Sequence, residues 1–350
     1  MAAFGRWRNA GLPRCFAPLR IAATEFLMRK IGLFILVLAI GIALFVGGNF
    51  VYGWTADGPA PKDLTVVIKE GSTLTRAAKT LEEAGAIKSA EAFLNRARLL
   101  GGGAAIKAGE FFIPAKSSNS AVMDILQGGD VLNRLVTIPE GMPSVMVRDT
   151  LMAEPLLTGD VPVPPEGSVL PESYSFQRGE PRAAVLERMQ EAMTKTMAEL
   201  WPKRDPNIVV KTPQEALALA SIVEKETALS AERTTVAAVY SNRLRQNMML
   251  QADPTIIYPI TKGKPLGRRI RQSEIADVNA YNTYAMTGLP QGPIANPGRA
   301  SIEAVLHPAD SDALYFVADG TGGHVFARTL DEHNANVAKW YAIRRQRGEM

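Results

Sequence analysis

The chain opens with a long apolar run. From Ile31 to Ala56 no residue is charged, and the core IGLFILVLAIGIALFVGGNFVYGW (31–54) is about as long as a helix must be to cross the hydrocarbon layer of a bilayer. We therefore predict a transmembrane helix over 31–54. A cleaved signal peptide is the alternative, but its apolar core is usually about 7 to 15 residues long and ends at an A-x-A-like site, which is not found before Gly58.

Shorter periodic segments follow the apolar run. GPAPKD (58–63) has the composition of a short linker, which we place over 55–63 and which would space a domain from the membrane surface. The next segments predict a small β-α-α-β unit over 64–135. Its elements are a strand in LTVVIKEG (64–71), a helix capped by Ser72 or Thr73 that runs to about Ala84, a helix after Ser89, and a strand in GEFFIP (109–114).

A short internal repeat links this unit to the rest of the chain. VVIKEG (66–71) recurs as VTIPEG (136–141), in each case as a predicted strand that runs into a glycine turn and then a helix.

A helix with a strong start signal begins at Thr212. Thr212, Pro213 and Glu215 form a capping box with proline at the first helical position. The helix continues through ALALASIVEKETA (216–228).

One carboxyl group lies on the apolar side of this helix. At about 100° per residue, Glu226 falls between Ile222 and Val223 in the most apolar stripe. A carboxyl group on a buried face costs free energy unless it is paired, and burial raises its pKa, which suits a general acid. The alternative is an ion pair with an arginine such as Arg243, which falls on the apolar stripe of the next helix.

The charge of the chain is concentrated at its beginning. Of the net charge of +4, residues 1–30 carry +5, so the remainder sums to −1 and gives no support for nucleic-acid binding. Basic residues before the apolar run and Asp57 after it predict a cytoplasmic N-terminal segment (1–30) and an exported remainder. Translation could also start at Met28, since MRK and the apolar run would be a sufficient anchor.

Cysteine and histidine give no catalytic or metal-binding pattern. The single cysteine, Cys15, precedes the apolar run, so the exported part has neither a disulfide nor a thiol nucleophile. His307, His324 and His333 lack metal-ligand spacing, and we expect no metal site.

Three long segments resemble the endolytic murein transglycosylases of the YceG-like family. They are LASIVEKETALSAERTTVAAVYSNRLRQNMMLQADPTIIY (219–258), AYNTYAMTGLPQGPIANPGRASIEAVLHPA (280–309) and LYFVADGTGGHVFARTLDEHN (314–334). The resemblance implies an α+β protein with one membrane helix, a small LysM-like subdomain, here 64–135, and a larger α+β catalytic domain, here 136–350.

The resemblance also implies an activity. The second glutamate of the IVEKET motif, here Glu226, would be the catalytic residue that cleaves the linkage between N-acetylmuramic acid and N-acetylglucosamine within nascent glycan strands, leaving 1,6-anhydro ends. No cofactor is implied. The implied partners are peptidoglycan glycan strands and peptidoglycan synthases (penicillin-binding proteins), with cleavage ending glycan elongation at the inner membrane and the catalytic domain in the periplasm.

Polar and aromatic residues of these motifs are candidates for sugar binding, with turn chemistry and core packing as the alternative roles. The candidates are Arg243, Gln251, Asp253, Tyr281, Asn282, Thr283, Tyr284 and Asn296. Where the family is expected to have a Pro-Asp-Thr-type segment, this chain has EGSVLPESYSF (166–176), and Glu172 is the leading candidate for a second carboxylate in the cleft.

Two other functions remain open from the sequence. A muramidase would hydrolyse the same bond and would need a second carboxylate, such as Glu172 or Asp253. A non-catalytic peptidoglycan-binding anchor or assembly factor would use the LysM-like unit and leave Glu226 idle.

Overall fold

The computed structural model describes residues 18–129 and 131–349. Cys15 and most of the predicted cytoplasmic segment lie outside the described residues. The chain groups into two compact units, Met1–Leu132 and Asn133–Met350. Helices and short antiparallel strand pairs occur together, which confirms a mixed α+β architecture.

The first unit contains the predicted β-α-α-β order. Its elements are α1 (Pro18–Thr55), β1 (Leu64–Ile68), α2 (Leu74–Glu83), α3 (Ala90–Leu100), β2 (Gly109–Ile113) and α4 (Asn119–Gly128). Thr73 caps α2 as predicted, and Ser89 caps the predicted helix α3, because their side chains accept hydrogen bonds from the backbone N–H three residues on. β1 and β2 pair antiparallel, with Val66 opposite Phe111 in the buried core. α4 was not predicted, and the LysM-like character of the unit stays a prediction.

The apolar run lies within α1. Its segment Leu27–Thr55 is long and apolar enough to cross a membrane, and the most apolar part of this segment is not covered by the rest of the protein. The helix extends beyond the predicted span of 31–54 at both ends.

The segment after α1, which we predict to be a linker, is hydrogen-bonded to another part of the first unit. Ala60 is buried, and its carbonyl accepts a hydrogen bond of 2.9 Å from the backbone N–H of Lys116, whose own carbonyl accepts one of 3.1 Å from Gly58. Asp63 accepts a further bond of 2.8 Å from the N–H of Ala115. These bonds fix the segment along the chain before α4, which composition alone did not indicate.

The second unit is mainly helical. Its elements are β3 (Arg134–Thr137), α5 (Ser144–Ala153), β4 (Ser173–Phe176), α6 (Arg182–Leu200), α7 (Pro213–Glu226), α8 (Arg233–Arg245), α9 (Asp253–Thr261), α10 (Gln272–Ile275), α11 (Arg299–Leu306), β5 (Tyr315–Ala318), β6 (His324–Ala327) and α12 (Leu330–Gln346). β3 pairs antiparallel with β4, and β5 with β6.

The core of this unit is built around α7. Leu219, Ile222 and Val223 of α7 are fully buried, and the helix packs against α8 and α11. This packing fixes the position of the last residue of α7, which faces the site described below.

The short sequence repeat corresponds to a structural repeat. β1 leads through Gly71 into α2, and β3 leads through Gly141 into α5. Both glycines have a positive φ, 70° and 73°, a left-handed conformation in which a side chain would be strained. The turn geometry therefore explains why glycine recurs at these two positions.

Candidate active site

The start of α7 confirms the predicted N-cap. The hydroxyl of Thr212 accepts a hydrogen bond of 3.1 Å from the backbone N–H of Glu215. The Glu215 carboxylate accepts a hydrogen bond of 2.6 Å from the backbone N–H of Lys211. In a capping box the donor would be the N–H of the N-cap residue Thr212, one residue later. Both bonds satisfy donors at the helix start, so the beginning of α7 is well defined.

Glu226 is the last residue of α7 and opens onto a cavity of about 310 Å³. The residue is partly exposed, whereas Ile222 and Val223 on the same face are fully buried. The cavity is lined by Glu226, Tyr240, Arg243, Leu250, Gln251, Asp253, Tyr284, Phe316 and His333. It therefore combines one carboxyl group on a core helix with polar and aromatic side chains.

Burial raises the pKa of Glu226 to about 7. A hydrogen bond with Tyr240 lowers it in part, and the negative charge of Asp253 raises it further. The partial negative charge at the end of a helix also disfavours a carboxylate there. Glu226 can therefore both hold and release a proton near neutral pH.

The alternative of a Glu226–Arg243 ion pair is wrong. The Arg243 guanidinium donates to backbone carbonyls instead, over 2.7 Å to Leu314 and 2.9 Å to Leu250. Its positive charge lowers the pKa of Glu226 only as a minor contribution. In the part of the chain that the structure describes, no salt bridge involves Glu226, so Arg243 organises the cavity wall rather than neutralising the carboxyl.

Asp253 is the second carboxylate at the cavity. It begins α9, is exposed, and accepts a hydrogen bond of 2.6 Å from the Tyr284 hydroxyl. Gln251 lies two residues before it in a left-handed conformation with φ 53°. The backbone N–H of Gln251 donates to the carbonyl of Thr283, which fixes this segment beside residues 283–284.

The structure gives Tyr281, Asn282 and Thr283 structural contacts, and they do not line this cavity. The Thr283 hydroxyl accepts a bond of 3.1 Å from the N–H of Ala252. The buried Asn282 amide donates to three carbonyls, of Glu274, Ile275 and Asp277. Tyr281 packs on Tyr258 with ring centroids 4.8 Å apart. Their turn and packing roles are visible, and sugar contact stays a prediction for each.

Asn296 and Glu172 also lie outside the lining of the cavity. Asn296 is fully buried: its amide donates to the carbonyl of Met142 and the hydroxyl of Ser144, and its side-chain oxygen accepts from the N–H of Val169. Glu172 is exposed just before β4. The preference for Glu172 over Asp253 as the second carboxylate of the cleft is therefore not supported, since Asp253 is the one that lines the Glu226 cavity.

Sequence reasoning missed His333, which lines the cavity from α12. Its ring stacks on Tyr315 with centroids 5.2 Å apart, and its buried Nδ1 has no hydrogen-bond partner among the described residues. Burial, and secondarily the charge of Arg243, lowers the pKa of His333, which favours the neutral ring. His333 and Glu226 are more than a hundred residues apart, so no local sequence pattern indicates that they line the same cavity.

A second histidine supports the end of α7 indirectly. Nδ1 of His324 on β6 lies 2.7 Å from Oε2 of Glu232, and the same carboxylate accepts a bond of 3.1 Å from the hydroxyl of Thr227. Thr227 is the C-cap of α7 and follows Glu226 directly. The His324–Glu232–Thr227 chain therefore ties β6 to the end of α7.

Within the described residues, no group of three or more His, Cys, Asp and Glu side chains is arranged to hold a metal ion. That the chain needs no metal stays a prediction.

Comparison with known proteins decides the family. Residues 66–339 match the YceG-like family, and this match covers most of the chain. The chain belongs to the YceG-like family. The match extends over parts of both units and includes every residue that lines the Glu226 cavity.

Two named relatives and one solved structure are similar to this YceG-like chain. The endolytic murein transglycosylase of Bacillus subtilis is 28% identical, over 87% of this chain and 93% of that protein. The endolytic murein transglycosylase of Streptococcus pneumoniae is 29% identical, over 87% of this chain and 65% of that protein, so the chain spans somewhat less than two thirds of it. A crystal structure of a YceG-like protein from Listeria monocytogenes is 26% identical, with a TM-score of 0.49, and covers 78% of this chain and 98% of that one.

Proposed function

We propose that this protein is a membrane-anchored lytic transglycosylase that cleaves N-acetylmuramic acid–N-acetylglucosamine linkages within peptidoglycan glycan strands. The observation that carries the proposal is the Glu226 carboxyl, which has no ion-pair partner in the described part of the chain and whose pKa lies at about 7 at the wall of a cavity. The names of the two relatives support the substrate and the endolytic mode.

One carboxyl group suffices for this reaction. Protonated Glu226 donates its proton to the glycosidic oxygen as the bond from that oxygen to the anomeric carbon breaks. The primary hydroxyl of the muramic acid then bonds to the anomeric carbon, and the Glu226 carboxylate accepts the hydroxyl proton. The products are a free sugar hydroxyl and a 1,6-anhydro end, and no water is consumed.

The neighbours of Glu226 fit the charges of this reaction. The anomeric carbon becomes positive in the transition state, and the Asp253 carboxylate lies in the same cavity to stabilise it. The hydrogen bond from Tyr284 holds Asp253 in place. The hydrogen bond with Tyr240 favours the Glu226 carboxylate after its proton has left.

The anchor supports a location at the inner membrane. Segment Leu27–Thr55 would cross the membrane with the basic N-terminal segment in the cytoplasm and the catalytic unit in the periplasm. There the enzyme would meet nascent strands beside peptidoglycan synthases and end their elongation.

Product analysis tests the reaction. Glycan incubated with the purified full chain is expected to yield 1,6-anhydro ends by mass spectrometry. Reducing ends alone would show a muramidase, for which Asp253 would be the second carboxylate. Glycan that is bound but left intact would show a non-catalytic binding protein.

A further inference from the structure

The end of α3 points toward the membrane segment of α1. The ring of Phe93 on α3 packs against Trp54 of α1, with centroids 5.6 Å apart. One turn further along α3, Nε of Arg96 donates a bond of 3.1 Å to the carbonyl of Phe50, one turn earlier in α1. The two helices therefore run antiparallel at this contact, and α3 advances toward the apolar run as its numbering rises.

This arrangement is held by more than one contact. Trp54 is buried in the core of the first unit together with Phe93. The side-chain amide of Asn119, at the start of α4, donates a bond of 2.8 Å to the carbonyl of Gly53. Because α3 and α4 both bind the end of α1, the direction of α3 relative to the membrane helix is fixed.

Beyond Arg96, α3 presents apolar side chains to its surroundings. Leu99 is 78% exposed and Leu100 is 40% exposed. Leu100 lies four residues past Arg96, about 6 Å along the helix. The same distance along α1 leads from Phe50 back to Val46, which lies inside the uncharged run. Leu27–Thr55 has 29 residues, and about 20 are enough to cross the hydrocarbon layer, so we place the end of α3 at the level of the outer boundary of that layer.

The segment that follows has the composition of a membrane-contacting tip. LLGGGAAI (99–106) contains no charged residue, and it is flanked by the exposed residues Arg98 and Lys107. We call residues 98–107 the α3 tip. Its irregular backbone belongs at the depth of the lipid headgroups, because unpaired backbone groups are not tolerated against hydrocarbon. Arg98 and Lys107 can meet phosphate groups at that depth.

We propose that the α3 tip inserts into the outer interface of the membrane that α1 crosses. Leu99 and Leu100 bury their side chains at the boundary with the acyl chains, and Arg98 and Lys107 contact the phosphates of phospholipid headgroups. The first unit is then seated on the bilayer rather than held above it by a flexible spacer. The inference rests on the proposed membrane anchor and is independent of the chemistry at Glu226.

Depth-dependent quenching in lipid vesicles tests this. The full chain with Cys15→Ser, which removes the single cysteine, receives one new cysteine by Leu99→Cys and is labelled with an environment-sensitive fluorophore. It is reconstituted in vesicles of phosphatidylethanolamine and phosphatidylglycerol, with or without lipids that carry a nitroxide near the headgroup. Glu91→Cys is the matched control, because the exposed Glu91 lies on the same helix about 12 Å further from the tip. Leu44→Cys, within the apolar run, reports insertion of α1.

We expect quenching of the label at position 99 to exceed that at position 91 at least twofold, with a blue-shifted emission only at 99. Equal, solvent-like signals at 91 and 99 with a quenched label at 44 would overturn the insertion of the tip and leave the anchor intact. An unquenched label at position 44 would overturn the anchor and, with it, this inference.

Discussion

The hydroxyl of Tyr284 donates a hydrogen bond of 2.6 Å to Oδ1 of Asp253, in the cavity that Glu226 also lines. The bond positions a carboxylate whose negative charge raises the pKa of Glu226. The two carboxyl groups therefore have different environments. Burial favours the protonated form of Glu226, whereas Asp253 is exposed and accepts a hydrogen bond.

The coupling of these two groups predicts a shift in the pH dependence of activity. Because Glu226 must be protonated to act, wild-type kcat/KM should fall about tenfold per pH unit above the Glu226 pKa of about 7. Asp253→Asn removes a negative charge, lowers the pKa of Glu226 and should move this fall to lower pH. The measurement is the pH profile of anhydro-end formation.

Tyr284→Phe is the matched control for this shift. It keeps the Asp253 carboxylate, so it should reduce the rate but leave the midpoint near the wild-type value. A midpoint that stays in place or rises in Asp253→Asn would contradict the assigned coupling.

Glu226→Gln should abolish cleavage. The amide keeps the shape of the side chain but has no acidic proton to give, and loss of a general acid costs roughly a hundredfold to ten-thousandfold in rate. The readout is the rate of anhydro-end formation, together with binding of uncut glycan, which should persist. Glu187→Gln, at an exposed carboxylate on α6, is the control and should keep full activity. A fully active Glu226→Gln would end the catalytic assignment.

The same substitution should stabilise the fold at high pH. The pKa of Glu226 is raised from 4.5 to about 7 in the folded protein, so the native state binds more protons than the unfolded state between these values. Wild-type stability should therefore fall as pH rises through this window, by about 3 kcal/mol. Glu226→Gln escapes this loss.

Denaturant unfolding of both proteins from pH 4 to pH 8 measures the difference. The advantage of Glu226→Gln should be small at the acid end and largest above pH 7. An advantage that is independent of pH would show that burial of an ionised group is not its cause.

His333 should bind substrate through Nε2. A proton on the buried, unpartnered Nδ1 would be a buried donor without an acceptor, so the neutral ring carries its proton on Nε2, which is free to donate to a sugar oxygen. His333→Gln keeps a donor near the Nε2 position, whereas His333→Asn keeps one near Nδ1. We expect Asn to lower kcat/KM about tenfold more than Gln, the equivalent of one hydrogen bond.

Glycan affinity separates binding from folding at this position. Measured in the inactive Glu226→Gln background, affinity should be weaker with His333→Asn than with His333→Gln, while the two keep similar thermal stability. Equal losses for both substitutions would assign His333 a packing role on Tyr315 instead.

The local pattern of the sequence determined much of the fold, because caps, turns and apolar periodicity act over a few residues. Thr212 and Ser89 predicted helix starts that the structure contains, and the uncharged run predicted the long apolar helix. The periodicity of α7 also placed Glu226 within the apolar stripe of the helix, between Ile222 and Val223. These features require only neighbouring residues, so no tertiary contact was needed to read them.

Only the tertiary structure decided what surrounds Glu226. The periodicity of α8 indicated that Arg243 lies on a buried face. It did not indicate whether the guanidinium binds a carboxylate or backbone carbonyls, because the carbonyls that it binds belong to Met249, Leu250 and Leu314, which other parts of the chain bring against α8. That Asp253 rather than Glu172 lines the cavity, and that His333 of α12 also lines it, depends in the same way on contacts between residues far apart in the chain. The raised pKa of Glu226, about 7, has burial as its largest cause, which the apolar stripe of α7 already indicated, but the added negative charge comes from Asp253 on a segment that the sequence of α7 cannot specify.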